Sequence, residues 1–473
     1  MITSFQYKGE WFLPAEPMKR ITGILSYDII EGSHLELFGN FDELPFGYSM
    51  RVDDIILGIT NNSKQITLYN CYVSNSGGAT LVSNGESGVP PTTYKIGYIL
   101  EGVHVTSKEE MQFQEIRSEI YYLDEWLGVS GFFPNTDGLE QFKNFEINVK
   151  YKLPEPIRFE IDENLSGQFN FTILRPGLST FTNNINLSQR VEIIISSITD
   201  SSLKDLLRNL FVFQNFLIFA LYHRTHPTAI TIYGNRFVNH YSDGTTTQKE
   251  IKLYFPIRYK EEDLSRKPDL EMLFSYGQIK EEFPSIIKKW YKQYDLLEPA
   301  FNLLVEQFYN KGRFSSNTFL NLAQAAETLH TRTDNHTKMP KQDYQVMKEE
   351  IYTAVPKKHH EWLREQFNFG NNLNLHARLK DMVSKYSNGS LDKAIGDKDS
   401  FVNQVKHSRN YYTHYSKGSE KHALKEQPLF FLTEKIKILL VCAFLIEAGF
   451  DKKKLESLLE SNERRFIRHL INR

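Results

Sequence analysis

The feature that most limits what this chain can fold into is a change of hydrophobic period near its middle. Up to about residue 190, short runs of β-branched and aromatic residues, such as GILSYDII, QITLYNCYV and YKIGYILEGVHV, alternate with turn-formers such as NNS, SNSGG and SNGESGVPP. Such runs predict a mostly antiparallel β domain. From Leu203 to Tyr222 the step changes, and Leu203, Leu206, Leu207, Leu210, Phe213 and Leu217 recur every three or four residues, as one face of a helix does. A last β-like pair, TAITIYG and QKEIKLYFPIRY, follows, and beyond the charged stretch YKEEDLSRKPD (259–269) helical spacing holds to the end. The expectation is an α+β multidomain chain: a β-rich N-terminal domain with a helical segment over 1–265, then an all-α bundle over 270–473.

At 473 residues the chain can bury more than one core. A formal charge of −2 excludes a globally basic nucleic-acid coat, so any contact with nucleic acid must come from a local patch. Such a patch exists in residues 401–473, which hold 14 Lys and Arg against 8 Asp and Glu. Two cysteines far apart, Cys71 and Cys442, exclude a disulfide framework and a cysteine-built zinc site, and they suit a reducing, cytoplasmic setting. The opening MITSFQYKGEWFLP lacks the basic and apolar regions of a secretion signal. The apolar runs FLIFAL (216–221) and ILLVCAFLI (438–446) fall short of the roughly 18 to 20 residues a membrane span needs. They read as buried helices, the second ending at Gly449 as a C′ glycine, and no membrane contact is expected.

The segment HSRNYYTHYS (407–416) carries the chemistry. A cap at Ser400, apolar contacts from Phe401, Val402 and Val405, and a stop at Gly418 predict a helix over about 401–416. At about 100° per residue, His407, Asn410 and His414 fall on one stripe, while Arg409 lies about 140° from His414. The two converge only if the arginine reaches around, the helix end deforms, or a second copy of the chain supplies the missing partner. Imidazole can take or give a proton at cellular pH, and guanidinium grips phosphate oxygens in bidentate fashion. Together Arg409, Asn410 and His414 suit cleavage of an RNA substrate with no metal and no cofactor. The spacing alone is weak, because Arg464 and His469 in RRFIRH repeat it without the asparagine.

Other candidates carry less. His104 reads as a packed or rim histidine of an alternating strand, and His359, His360 and His376 lack carboxylates at metal-ligand spacing. HTRTDNH (330–336) reads as a polar loop after a helix. Glu327, in AAETLH, lies on an early bundle helix, where it either ion-pairs with Arg409 or is a plain surface glutamate. Trp11 and Trp126 read as core.

The segment RNYYTH, with an all-apolar helix soon after it, resembles the signature of HEPN domains, helical bundles that often act as metal-independent endoribonucleases. The stretches GEWFLPAEPMKRITGILSYDIIEGSHLELFGNF, ILGITNNSKQITLYNC and ILEGVHVTSKEEMQFQEIRSEIYYLDEWL resemble the N-terminal domain of the ApeA family of phage-defence, abortive-infection proteins. The likeness continues through LLRNLFVFQNFLIFALY and MLFSYGQIKEEFPSIIKKWY into NTFLNLAQAAETLHTR. It implies an RNA-damaging effector in which the β-rich domain senses a phage-derived trigger or regulates the HEPN bundle. A homodimer through the HEPN part is the expected assembly. A non-catalytic module that binds RNA or a partner stands as the other reading, and only the enzyme needs His414.

Overall fold

The computed structural model describes residues 4–41, 52–76, 91–135, 148–174, 186–256, 272–309, 314–334, 336–463 and 467–471. They form two compact units, one running up to Leu217 and resuming at Thr225 for the last strands, the other made of Ile218–Arg224 and the chain from Met272 onward. The stretch 259–269 and the boundary expected near 265 lie outside the described residues.

The first unit holds β1 (Ser4–Phe12), β2 (Ile21–Asp28), β3 (Gly32–Leu37), β4 (Val52–Thr60), β5 (Gln65–Ser76), β6 (Thr92–Glu101), β7 (Gln112–Ile120), β8 (Phe132–Asn135), β9 (Asn148–Tyr151), β10 (Ile157–Glu160), β11 (Leu165–Leu174), β12 (Ser188–Ser202), β13 (Pro227–Tyr233), β14 (Val238–His240), β15 (Thr246–Gln248) and β16 (Ile251–Tyr254). It also holds α1 (Leu123–Leu127) and most of α2 (Leu203–Leu221). The β-rich, antiparallel character expected from the sequence is what the strands show. Their main sheet runs β10-β11-β12-β7-β13-β16-β6-β3-β2-β1-β4-β5, and β5 returns to β6, so the last six close into a barrel. Closure depends on β6, which pairs with β5 from Thr92 to Glu101 on one edge. Its other edge is divided, Thr92–Ile96 facing β3 and Ile99–Glu101 facing β16.

The buried cluster of the barrel strands includes Trp11, Leu25, Leu35, Ile56, Leu68 and Ile99. Gly58 is glycine because a Cβ there would overlap the Trp11 indole. A charge sits in this apolar setting with its partners supplied: the buried Glu101 accepts from Tyr7 Oη and Lys64 Nζ, both at 2.8 Å. His104 follows β6 instead of lying in a strand, and its Nε2 is 2.8 Å from the Gly58 carbonyl oxygen. Trp11 and Trp126 are fully buried, as core residues should be.

The second unit is helical: α3 (Tyr276–Ile279), α4 (Phe283–Tyr309), α5 (Ser316–Thr333), α6 (Lys341–Ala354), α7 (His360–Gly370), α8 (Leu375–Lys385), α9 (Gly389–Ile395), α10 (Lys398–His414), α11 (Lys417–Glu420), α12 (Glu426–Glu447) and α13 (Lys452–Ser461). The central element is α5, which packs on α4, α12, α10 and α8. Its buried face includes Ala323, Ala325 and Ala326, small side chains that let neighbouring helices approach closely. Every residue from Ile438 to Leu445 of α12 is buried. That helix ends in a Schellman motif, with Gly449 at φ 104°, its N–H donating to Ile446 and the Phe450 N–H to Leu445. The buried apolar helix and its glycine stop both match the sequence expectation.

Candidate active site

The helix carrying Arg409, Asn410 and His414 begins and ends differently from the sequence expectation. The N-cap is Asp397, whose carboxylate accepts from the Ser400 N–H, so Ser400 lies within the first turn of a helix that starts at Lys398. Aspartate satisfies an orphan donor there and also suits the positive end of the helix dipole. The stop is Tyr415, in the left-handed conformation at φ 48°, three residues before Gly418. A non-glycine residue pays roughly 1–2 kcal/mol for that conformation. Ring contacts offset part of it, Tyr415 standing 5.4 Å from Tyr411 and 6.1 Å from Tyr412.

The tyrosines therefore have a structural task at the end of α10. Tyr412 packs its ring against Phe319 of α5 at 6.1 Å and donates its hydroxyl to the Leu424 carbonyl at 3.1 Å. The Leu424 N–H in turn donates to Ser408 Oγ at 3.0 Å, so the segment after α10 folds back along it. Burial, with the neighbouring Tyr411, holds the Tyr412 phenol above its ordinary range. Lys425 lies 5.4 Å from the centre of the Tyr411 ring.

Within this frame Arg409 Nη2 donates to Glu327 Oε2 at 3.4 Å, joining α10 to α5 across 82 residues of sequence. Of the two readings left open for Glu327, the structure has the ion pair. Both side chains are about one-third exposed, so the pair contributes on the order of 0–1 kcal/mol. Asn410 is half-buried and His414 is exposed; among the described residues neither side chain has a hydrogen-bond partner. Arg409 and His414 are not brought into contact within one chain, as their angular offset on the helix implies.

His407, on the stripe of Asn410 and His414, is a neighbour the sequence singled out only by position. Its ring lies 5.4 Å from that of His422. Burial, then electrostatic interaction with Lys406, His422 and His376, holds its imidazole below the ordinary range. Of the second Arg-x-x-x-x-His copy, Arg464 lies outside the described residues and His469 is exposed.

The reading of HTRTDNH as a loop needs correction. His330 through Thr333 form the last turn of α5, and the His330 side chain is only 2% exposed. Its Nε2 and the Nδ1 of His336 each lie 2.8 Å from Oδ2 of Asp381 on α8. The sequence reading missed this cluster because the carboxylate lies 45 residues beyond the second histidine, past any local spacing rule.

Compared with family models, residues 6–290 match the ApeA N-terminal domain 1. The chain belongs to the ApeA family. A second model, the Apea-like HEPN domain, matches residues 320–454 of this ApeA-family chain, a span that contains Glu327, Arg409, Asn410 and His414. The two matches together make it an HEPN-containing defence effector, in keeping with the resemblance seen in the sequence. Neither a comparison with curated proteins nor one with solved structures gave a match. Among the described residues no helix is long and apolar enough to cross a membrane. Cys71 and Cys442 are both buried, and burial pushes the Cys442 thiol up to about 12, which makes it unreactive.

Proposed function

We propose that this chain is a metal-independent HEPN endoribonuclease of anti-phage defence, acting in the cytoplasm as a homodimer. The observation that carries the reading is the half-free end of α10: Glu327 restrains Arg409, while Asn410 and His414 stand beside it with unused hydrogen-bonding groups. Binding a phosphodiester would supply those partners. A histidine takes the proton of the ribose 2′-OH, the 2′ oxygen attacks phosphorus, and the 5′ oxygen departs with a proton returned by a second acid. Arg409 stabilises charge on the phosphoryl oxygens, and Asn410 hydrogen-bonds the phosphate or the His414 ring. The products are a 2′,3′-cyclic phosphate and a 5′-OH.

Two α10 helices laid side by side in a dimer would bring two arginines and two histidines to one phosphate, so that one imidazole serves as base and the other as acid. In this reading the 1–265 region senses a phage-derived trigger and the 270–473 region is the effector; the two matched family models support that division.

The test is cleavage of RNA by the purified chain in excess EDTA, with analysis of the product ends. Cyclic phosphate ends are expected, and 5′-phosphate ends would defeat the mechanism. Specific activity measured while exchangeable His414→Ala subunits are added tests the shared site. Activity should fall faster than dilution; a strictly proportional fall, with exchange verified, would place a complete site in each chain.

A further inference from the structure

We propose that His330, His336 and Asp381 form a Zn2+ site that clips α5 to α8. The three ligand atoms come from the last turn of α5, the segment just after it and the middle of α8, and all lie within 4.8 Å of one another. Two imidazoles and a carboxylate are a donor set that Zn2+ accepts, with a fourth place for water. In a tetrahedral zinc site, ligand atoms stand about 3.3 Å apart, given metal–ligand distances of about 2.0–2.1 Å. The two nitrogens now lie 2.8 Å from one carboxylate oxygen and within 4.8 Å of each other, so each nitrogen–oxygen pair opens by about half an ångström to admit an ion.

His330 is buried at 2% exposure, so its Nε2 meets Asp381 away from bulk water. Both histidines also converge on a single oxygen of Asp381. A cation at the point of convergence gives all three groups a common partner. Zn2+ takes the places at His330 Nε2 and His336 Nδ1 that face Asp381: a neutral ring then carries its proton on the other nitrogen, and an imidazolium releases one proton to solvent.

The clip has a structural consequence near the RNA site. Glu327, the partner of Arg409, lies one turn before His330 on α5, and α8 also packs on α10. Fixing α5 to α8 therefore stiffens the frame that aims Arg409, without placing the ion among the reacting atoms. The proposal does not rest on the ribonuclease reading.

The experiment uses the full-length, tag-free chain, freed of metal and titrated with Zn2+ against a chromophoric chelator. One ion per chain is expected, with affinity reduced at least tenfold in His336→Ala, whose site is exposed enough that folding should be retained, and similarly in Asp381→Asn. Co2+ in place of Zn2+ should give the visible absorption of a tetrahedral site in wild type and lose it in both variants. His422→Ala, which alters the separate histidine pair beside α10, should leave uptake unchanged. No stoichiometric uptake, uptake that persists in both His336→Ala and Asp381→Asn, or loss in His422→Ala alone would overturn the site. RNA cleavage is scored separately, so a failed zinc titration says nothing against the HEPN reaction.

Discussion

Helices α12 and α10 belong to the same bundle, yet they use their residues in opposite ways. Along α12, twelve side chains are buried and the run Ile438–Leu445 has no exposed member, so the helix has neighbours on every side. In α10 the buried residues are Phe401, Val402, Val405 and Ser408, and none of 409–414 is buried. The first half of α10 is anchored in the core, and the second half lies outside it, with Asn410 and His414 unpaired among the described residues. An unpaired amide or imidazole costs roughly 1–3 kcal/mol when buried, so Asn410 and His414 can keep unused hydrogen-bonding capacity only where the helix has left the core.

The sharpest way to test the contrast is to strike one member of each kind. His414→Ala should lower RNA cleavage by about 10²–10⁴-fold, the usual worth of a positioned proton-transfer group, with thermal stability and RNA affinity nearly unchanged. His469→Ala should keep activity within a few-fold. Retained cleavage in a folded His414→Ala protein would remove that residue from the mechanism. Leu439→Ala in α12 should do the reverse, costing about 2–5 kcal/mol in a urea titration followed by helical circular dichroism. Its activity per folded molecule should stay near wild type. A variant of α12 that kept its stability but lost turnover would break the division of labour.

Glu327→Gln sits between these extremes. It keeps the shape of the side chain and removes the charge that restrains Arg409, so turnover should drop by roughly tenfold while RNA binding changes little. Stability should move by less than about 1 kcal/mol, as for other partly exposed ion pairs. Partial rescue by Glu327→Asp would separate positioning from bulk; equal loss of binding and turnover would contradict the role.

The smallest effect is in pH. With the His407 imidazole held below the unfolded value of about 6.5, the unfolded chain takes up this proton first. Stability is therefore full above about pH 6.5 and declines as pH falls through the window between the unfolded and folded values. His407→Gln should flatten that decline between about pH 7.5 and about pH 5.5. Unchanged acid sensitivity in the variant would assign it to other groups.

The local code was enough for several of these features. Three- and four-residue spacing located α2, the continuous apolar run 438–446 located α12, short β-branched runs marked the strands, and Gly449 announced the end of α12 because a glycine accepts the positive φ a Schellman motif requires. The residue pattern RNYYTH pointed to a candidate chemistry before any contact was known. The limits of α10 were less legible: Ser400 and Asp397 are both good caps, and Tyr415 stops the helix because its ring packs on Tyr411 and Tyr412, a contact that propensity does not contain. Barrel closure was beyond local reading, since the pairing of Thr92 with Ser76 and of Glu101 with Ile66 depends on which strand edges meet. The pairing of Glu327 with Arg409 spans 82 residues, and that of His330 with Asp381 spans 51. Periodicity arises from neighbours within one or two turns and so survives in the linear sequence. The choice of partner across such separations is made by how α5, α8 and α10 pack, and only the tertiary structure carries it.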